Sequence, residues 1–136
     1  MRTIKISITN DSSYLAHIRR FVYALGIEEG YTEDDISDIC IATDEALTNV
    51  IKYAYGDTSG DIEISFFMEA DKFSVLIADQ GKTFNPSPIS IPDIEKRIKQ
   101  RAKGGLGRYL MRRVMDVIEY KAQPRGGNEL LMVKYL

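Results

Sequence analysis

Glu45 and Asn49 stand four residues apart in Asp44-Glu45-Ala46-Leu47-Thr48-Asn49. On a helix that spacing puts a carboxylate and a carboxamide on one face, one turn apart. The carboxylate can take a proton from an attacking hydroxyl or water. The carboxamide oxygen suits Mg²⁺, a hard cation that binds nucleotides through few protein oxygens plus phosphates and waters. Downstream, Asp79-Gln80-Gly81 sets a carboxylate beside a glycine. An Asp there can accept a hydrogen bond from the exocyclic amine of adenine, which guanine does not present on that edge, and Gly81 leaves room for the base. Lys103-Gly104-Gly105-Leu106-Gly107 then leads into a helical pattern. Exposed amides in a glycine turn and at a helix start favour phosphate oxygens. Taken singly, these are a solvated helix face, a strand-ending turn and a loose connector. Their order points to an ATP site.

The bulk composition is consistent with such a site and excludes several other classes. A chain of 136 residues can bury a core as one domain, residues 1–136, without staples. A net charge of −2 is not that of a general nucleic-acid or membrane-surface binder. Cys40 is the only cysteine, so no intrachain disulfide can form and no metal site can be built from cysteines. Its helical spacing from Ile36, Ile39 and Thr43 reads as a small buried residue. The start, Met1-Arg2-Thr3-Ile4-Lys5-Ile6, lacks the apolar run of a signal peptide, and no stretch approaches the ~18–20 apolar residues of a membrane span. The expectation is a cytoplasmic protein without a membrane or direct nucleic-acid partner.

The elements that must position these residues follow from periodicity. Ile4, Ile6 and Ile8 alternate with polar residues as in a half-buried strand. Asn10-Asp11-Ser12-Ser13 offers cap chemistry for a helix whose stripe is Leu15, Ile18, Phe21, Val22 and Leu25, with Gly26 or Gly30 to end it. Thr32 and Asp35 resemble a capping box, and Glu33, Asp34 and Asp35 suit a helix start. That second helix is predicted to run through Ile36, Ile39, Cys40, Thr43, Leu47, Val50 and Ala54. Ile62 to Met68 and Phe73 to Ile77 read as a hairpin turning at Ala70-Asp71-Lys72, which leaves Asp79 at a strand end. Gln80 to Gly105 shows no long periodic element beyond a charged stretch from Ile94 to Lys103 that reads as a short helix, and so long a loop is usually functional or mobile. Leu106, Leu110, Val114 and Val117 mark a third helix, followed by strands at Ile118-Glu119-Tyr120 and Leu130 to Tyr135. Strand, two helices, hairpin, loop, helix and two strands do not make a doubly wound fold. They make an α+β two-layer sandwich, a mostly antiparallel mixed sheet covered on one face by helices.

These segments resemble the boxes of the Bergerat-type ATP-binding fold shared by gyrase, a heat-shock chaperone, histidine kinases and the mismatch-repair ATPases. Within that superfamily the chain is most similar to the free-standing anti-sigma-factor serine kinases. Asp44 to Tyr55 resembles their N-box, Asp79-Gln80-Gly81-Lys82-Thr83-Phe84-Asn85-Pro86 their first glycine box, and Lys103 to Leu110 with Met115-Asp116 their second. The resemblance covers nearly the whole chain in the right order. It departs at Tyr53, usually His, and at Gly126-Gly127-Asn128-Glu129, where Gly-Thr is common and the Asn128 side chain would replace the hydroxyl.

The resemblance implies an ATP/ADP- and Mg²⁺-binding protein serine/threonine kinase acting by partner switching. It would sequester a sigma factor, phosphorylate a small anti-anti-sigma antagonist protein and form a homodimer. Glu45 would be the general base and Asn49 the Mg²⁺ ligand. Asp79, Gly81 and Asn128 would hold adenine, and Gly104, Gly105, Leu106 and Gly107 the phosphates. The segment from Gln80 to Lys103 would be the ATP lid. His17, Arg19 and Arg20 form a small basic group, and the resemblance places Arg19 and Arg20 in the surface that grips acidic partners. The alternative is a nucleotide-binding protein–protein module without kinase turnover.

Overall fold

In the computed structural model, residues 1–84 and 106–136 are described. Strand β1 is Arg2–Thr9, followed by a 3₁₀ turn Ser12–Tyr14, helices α1 Leu15–Glu29 and α2 Glu33–Asn49, and a π-helical turn Val50–Tyr55. Strands β2 Asp61–Met68 and β3 Lys72–Asp79 come next, then helix α3 Leu106–Val114, β4 Val117–Ala122 and β5 Asn128–Tyr135. The expectations for residues 85–105, including the charged stretch, most of the lid segment, Gly104 and Gly105, lie outside the described residues.

The sheet runs in the order β1-β2-β3-β5-β4. Every described pairing is antiparallel, and β2 pairs with β3 as the hairpin that the alternation predicted. Register places Ile64, Ile77 and Leu130 in one row and Phe66, Val75 and Met132 in the next. These side chains are at most 9% exposed and face α1, α2 and α3, forming one core with Ile18, Val22, Ile39, Leu47 and Met111. Each buried side chain of this size contributes about 1.5–3 kcal/mol through water exclusion.

Local signals work as expected at most ends. Asp11 caps the 3₁₀ turn by accepting from the Ser13 N–H, and Thr32 Oγ1 accepts from the Asp35 N–H at 3.1 Å. Gly30 closes α1 in the left-handed conformation at φ 78. Gly26 does other work, because a Cβ there would lie 2.5 Å from Ile36 Cγ1, so it is where α1 and α2 cross closely.

Two expectations are corrected. The second helix does not stay α-helical to Ala54. From Val50 the turn widens, with the Gly56 N–H reaching back five residues to the Ile51 carbonyl at 3.0 Å. The third helix stops at Val114, and Val117 pairs with Val133 in the sheet. A valine three residues past a helix fits the helical stripe by spacing, but β-sheet pairing claims it.

Candidate functional site

Asp79 ends β3 on the helix-covered face, opposite Asn128 at the start of β5, and is 1% exposed. Its Oδ1 accepts from the Gly81 N–H at 2.9 Å and from Asn128 Nδ2 at 3.0 Å. Its Oδ2 is buried without a hydrogen-bond partner among the described residues. Burial pushes the Asp79 carboxyl above its ordinary range, against the lowering effect of the Asn128 and Gly81 hydrogen bonds. A buried acceptor left unsatisfied costs about 1–3 kcal/mol, which a donor brought by a ligand would relieve.

The free oxygen borders a pocket lined by Asn49, Val50, Ile77, Phe84, Tyr120 and Leu130 among others. Its walls are apolar apart from Asn49, Asp79, Asn128 and the Tyr120 hydroxyl, the makeup of a site for a flat base with few polar points. Its free volume is ≈ 10 Å³, about one water, so a base can enter only if the lining moves. Phe84 lies between Tyr53 and Tyr120, with ring centroids 5.9 and 6.2 Å away. Larger clefts of ≈ 530 Å³ flank the loop around residues 56–61 and contain none of Glu45, Asn49, Asp79 or Asn128.

Asn49 is 5% exposed and looks into the pocket, so it does not sit on a solvated helix face. Glu45, half-buried, lies one turn earlier on α2. Asn49 lines the pocket, and Glu45 is not among its lining residues. The fold brings Asn49, Asp79 and Asn128 together around the pocket, with Gly81 in the turn beside them. Leu106 and Gly107 open α3, the position predicted for a phosphate cradle. Oxygen donors of this kind fit Mg²⁺ carried in with phosphates, and among the described residues no cluster of three acidic, His or Cys side chains makes an all-protein metal cage.

Gly81 has a structural duty. A Cβ there would fall 2.5 Å from the Ala54 carbonyl oxygen, and the next N–H, of Lys82, donates to that carbonyl at 2.7 Å. The glycine lets the post-β3 turn dock on the π-turn, so room for the base is not what requires it. Gly127 does the same across the sheet: at φ 96, its Cα sits where a Cβ would collide with the Asp79 carbonyl.

Four residues that sequence reasoning passed over complete the site. Tyr120, from β4, donates its hydroxyl to Asn128 Oδ1. The Lys82 carbonyl accepts from Asn128 Nδ2 at 2.9 Å, and the Phe84 N–H donates to Asn128 Oδ1 at 3.2 Å. Tyr55 accepts from the Gln80 N–H at 2.9 Å and donates to the Asp61 carbonyl at 2.6 Å, tying the π-turn to β2 and β3. The Tyr55 and Phe84 positions lie within motif segments, but only the sheet register reveals Tyr120.

Away from the pocket, Arg19 Nε lies 3.0 Å from Asp44 Oδ1, so one member of the basic group is paired to α2. Arg20 and His17 are exposed on α1. Cys40 is half-buried, and burial, helped by Asp44, holds its thiol above the ordinary range, as an inert packing residue requires. Among the described residues no helix is long and apolar enough to cross a membrane.

A helix-covered antiparallel sheet with a buried Asp at a strand end and an Asn on the facing helix defines an ATPase domain of the histidine-kinase type. The chain belongs to the histidine kinase-like ATPase domain family, which matches residues 8–134, and within it to the family of its serine-protein kinase relatives. Serine-protein kinase RsbW of Bacillus velezensis is 34% identical over 98% of this chain and 85% of its own length. That of Halalkalibacterium halodurans is 36% identical over 98% and 83%, and that of Bacillus subtilis 33% over 98% and 85%. Among solved structures, the histidine kinase domain of a blue-light activated histidine kinase from Erythrobacter litoralis superposes with a TM-score of 0.54. It is 17% identical, and the match covers 90% of this chain and 59% of that one, which supports the shared fold alone.

Proposed function

We propose that this chain is an ATP-dependent serine/threonine protein kinase that acts as an anti-sigma regulator. It sequesters a sigma factor in one state and phosphorylates a small antagonist protein in the other. The observation that carries the nucleotide site is Asp79 Oδ2, a buried acceptor without a partner at the edge of an apolar pocket. Adenine supplies the missing donor through its exocyclic amine. Asn49 holds the Mg²⁺ that comes with the phosphates, and the glycines at 104, 105 and 107 with the start of α3 receive the phosphates. Bound Mg²⁺ would neutralise charge on the transferring group.

Glu45, on the same helix face as Asn49, takes the proton of the attacking hydroxyl. Beyond that, the chain's contribution is positioning. Arg20 on α1 faces solvent where an acidic partner can reach it, whereas Arg19 must first leave Asp44. A homodimer is supported by the outer sheet face. There Phe67, Leu76, Leu131 and Val117 are half-buried, and none belongs to the core cluster beneath the helices.

The test is incubation with γ-labelled ATP, Mg²⁺ and candidate antagonist proteins from the same genome. Label is expected on an antagonist serine or threonine. Glu45→Gln is expected to bind ATP and antagonist but to lose transfer by roughly 10²–10⁴-fold. Binding of both by the wild type without transfer would replace the kinase by the nucleotide-binding module.

A further inference from the structure

Asn128 has spent its whole hydrogen-bonding capacity inside the protein. Its two amide hydrogens go to Asp79 Oδ1 at 3.0 Å and the Lys82 carbonyl at 2.9 Å. Its carbonyl oxygen takes the Phe84 N–H at 3.2 Å and the Tyr120 hydroxyl. An amide can make no more than these four bonds, and turning it over would set donor against donor. At 2% exposure it borders the pocket but has nothing left with which to address a base.

What Asn128 does control is how much of Asp79 a base can see. An ionised carboxylate with both oxygens open is a two-point acceptor. The Watson–Crick edge of guanine carries two adjacent donors, N1–H and the 2-amino group, which match such a carboxylate at two points. Adenine offers one donor there, its 6-amino group, next to an acceptor, N1. Here Oδ1 is filled by Asn128 Nδ2 and the Gly81 N–H, and only Oδ2 is open. A single-point acceptor suits adenine and denies guanine its second bond.

We infer that Asn128 is a specificity-determining residue that selects adenine over guanine by occupying one oxygen of Asp79, without itself touching the base. The Tyr120 hydroxyl and the Phe84 and Lys82 backbone hold it in that setting, so strand β4 and the chain after β3 both take part in base choice. This rests on the nucleotide reading proposed above.

Calorimetric titration of the full chain with ATP, GTP and ITP at pH 8 tests it, on wild type, Asn128→Ala and Tyr120→Phe. Wild type is expected to prefer ATP. Asn128→Ala leaves Oδ1 with the Gly81 N–H alone, which frees one of its two acceptor positions, and is expected to bind GTP more tightly than wild type does, by roughly tenfold, the worth of one hydrogen bond to a charged group. ITP, which lacks the 2-amino group, is expected to gain less. A merely structural role would move the ATP, ITP and GTP affinities together, so a change in ATP and GTP binding in equal proportion would overturn the inference. Should Asn128→Ala fail to fold by circular dichroism, Tyr120→Phe decides. It keeps the ring against Phe84 and is expected to lower the ATP-to-GTP ratio, and an unchanged ratio overturns the inference. Wild type that binds ATP and GTP alike would also overturn the inference but spare the nucleotide reading, whereas wild type that binds no nucleotide would remove both.

Discussion

Strands β3 and β5 carry an ionisable side chain near each end of their pairing, half-buried at one end and buried at the other, and the two are treated in opposite ways. At one end Phe73 faces Lys134, whose ammonium meets Asp38 Oδ2 at 3.0 Å and the Val114 carbonyl at 2.9 Å. The charge is matched, and in being matched it fastens β5 to α2 and to the last turn of α3. At the other end Asp79 faces Asn128, and only one carboxylate oxygen is matched. Burial costs are comparable in kind at both ends. A compensated charge holds elements together, while one left half-compensated holds a place for something that arrives later.

The largest test of this contrast is Gly127→Ala. It forces a side chain onto a φ of 96 and into the Asp79 carbonyl, and is expected to cost about 3 kcal/mol in chemical denaturation. ATP affinity should fall with it, because the Asp79–Asn128 end is displaced. Full stability in the variant would mean that the two strand ends do not pack as described.

Lys134→Met addresses the opposite end. With Lys134 at 15% side-chain exposure and Asp38 at 30%, solvent screens part of the pair, and a loss of about 1–2 kcal/mol is expected. The ATP-to-GTP ratio should not move, since this charge serves the frame alone. A changed ratio would erase the distinction between the two ends.

The smallest effects are in pH. Burial alone would lower the Lys134 value, but Asp38, Asp116 and Asp35 outweigh it and leave it above 10.5. Its contribution is therefore complete below 10.5 and lost as pH rises through the higher folded value. Asp79 is raised above 3.8, chiefly by burial. The folded protein then holds that proton longer than the unfolded chain, so stability is favoured below 3.8 and declines as pH climbs through the folded value. Asp79→Asn should flatten this acid-side slope in melting temperature against pH. An unaltered slope would assign it to other carboxylates.

Much of this was readable in the chain, for identifiable reasons. Alternation at Ile62 to Met68 and Phe73 to Ile77 reports a half-buried hairpin, and Thr32 with its acidic neighbours reports a helix start. Asp79, Asn49 and Glu45 stand out in the sequence because they sit within short motifs. Tyr120 and Lys134 do not, since their significance depends on which strand lies beside which. Tyr120 acts through Asn128 eight residues away, and Lys134 meets Asp38 across 96 residues. The reason for Gly81 was equally hidden, because a glycine in sequence does not say which backbone will crowd it. Val117 shows the converse failure, in which a stripe of helical period ran on past the end of its helix.

The π-turn after Asn49 acts as a phase shift. In an unbroken α-helix Tyr53, four residues on, would return to the same face as Asn49 and stand above it. With a five-residue step the angular register slips, and Tyr53 leans instead toward Phe84. One continuous stretch of chain therefore furnishes two different walls, one carrying the Asn49 carboxamide before the slip and an aromatic one after it. Deleting a single residue between Val50 and Tyr55 would bring the two halves back into step, and the walls would merge into one.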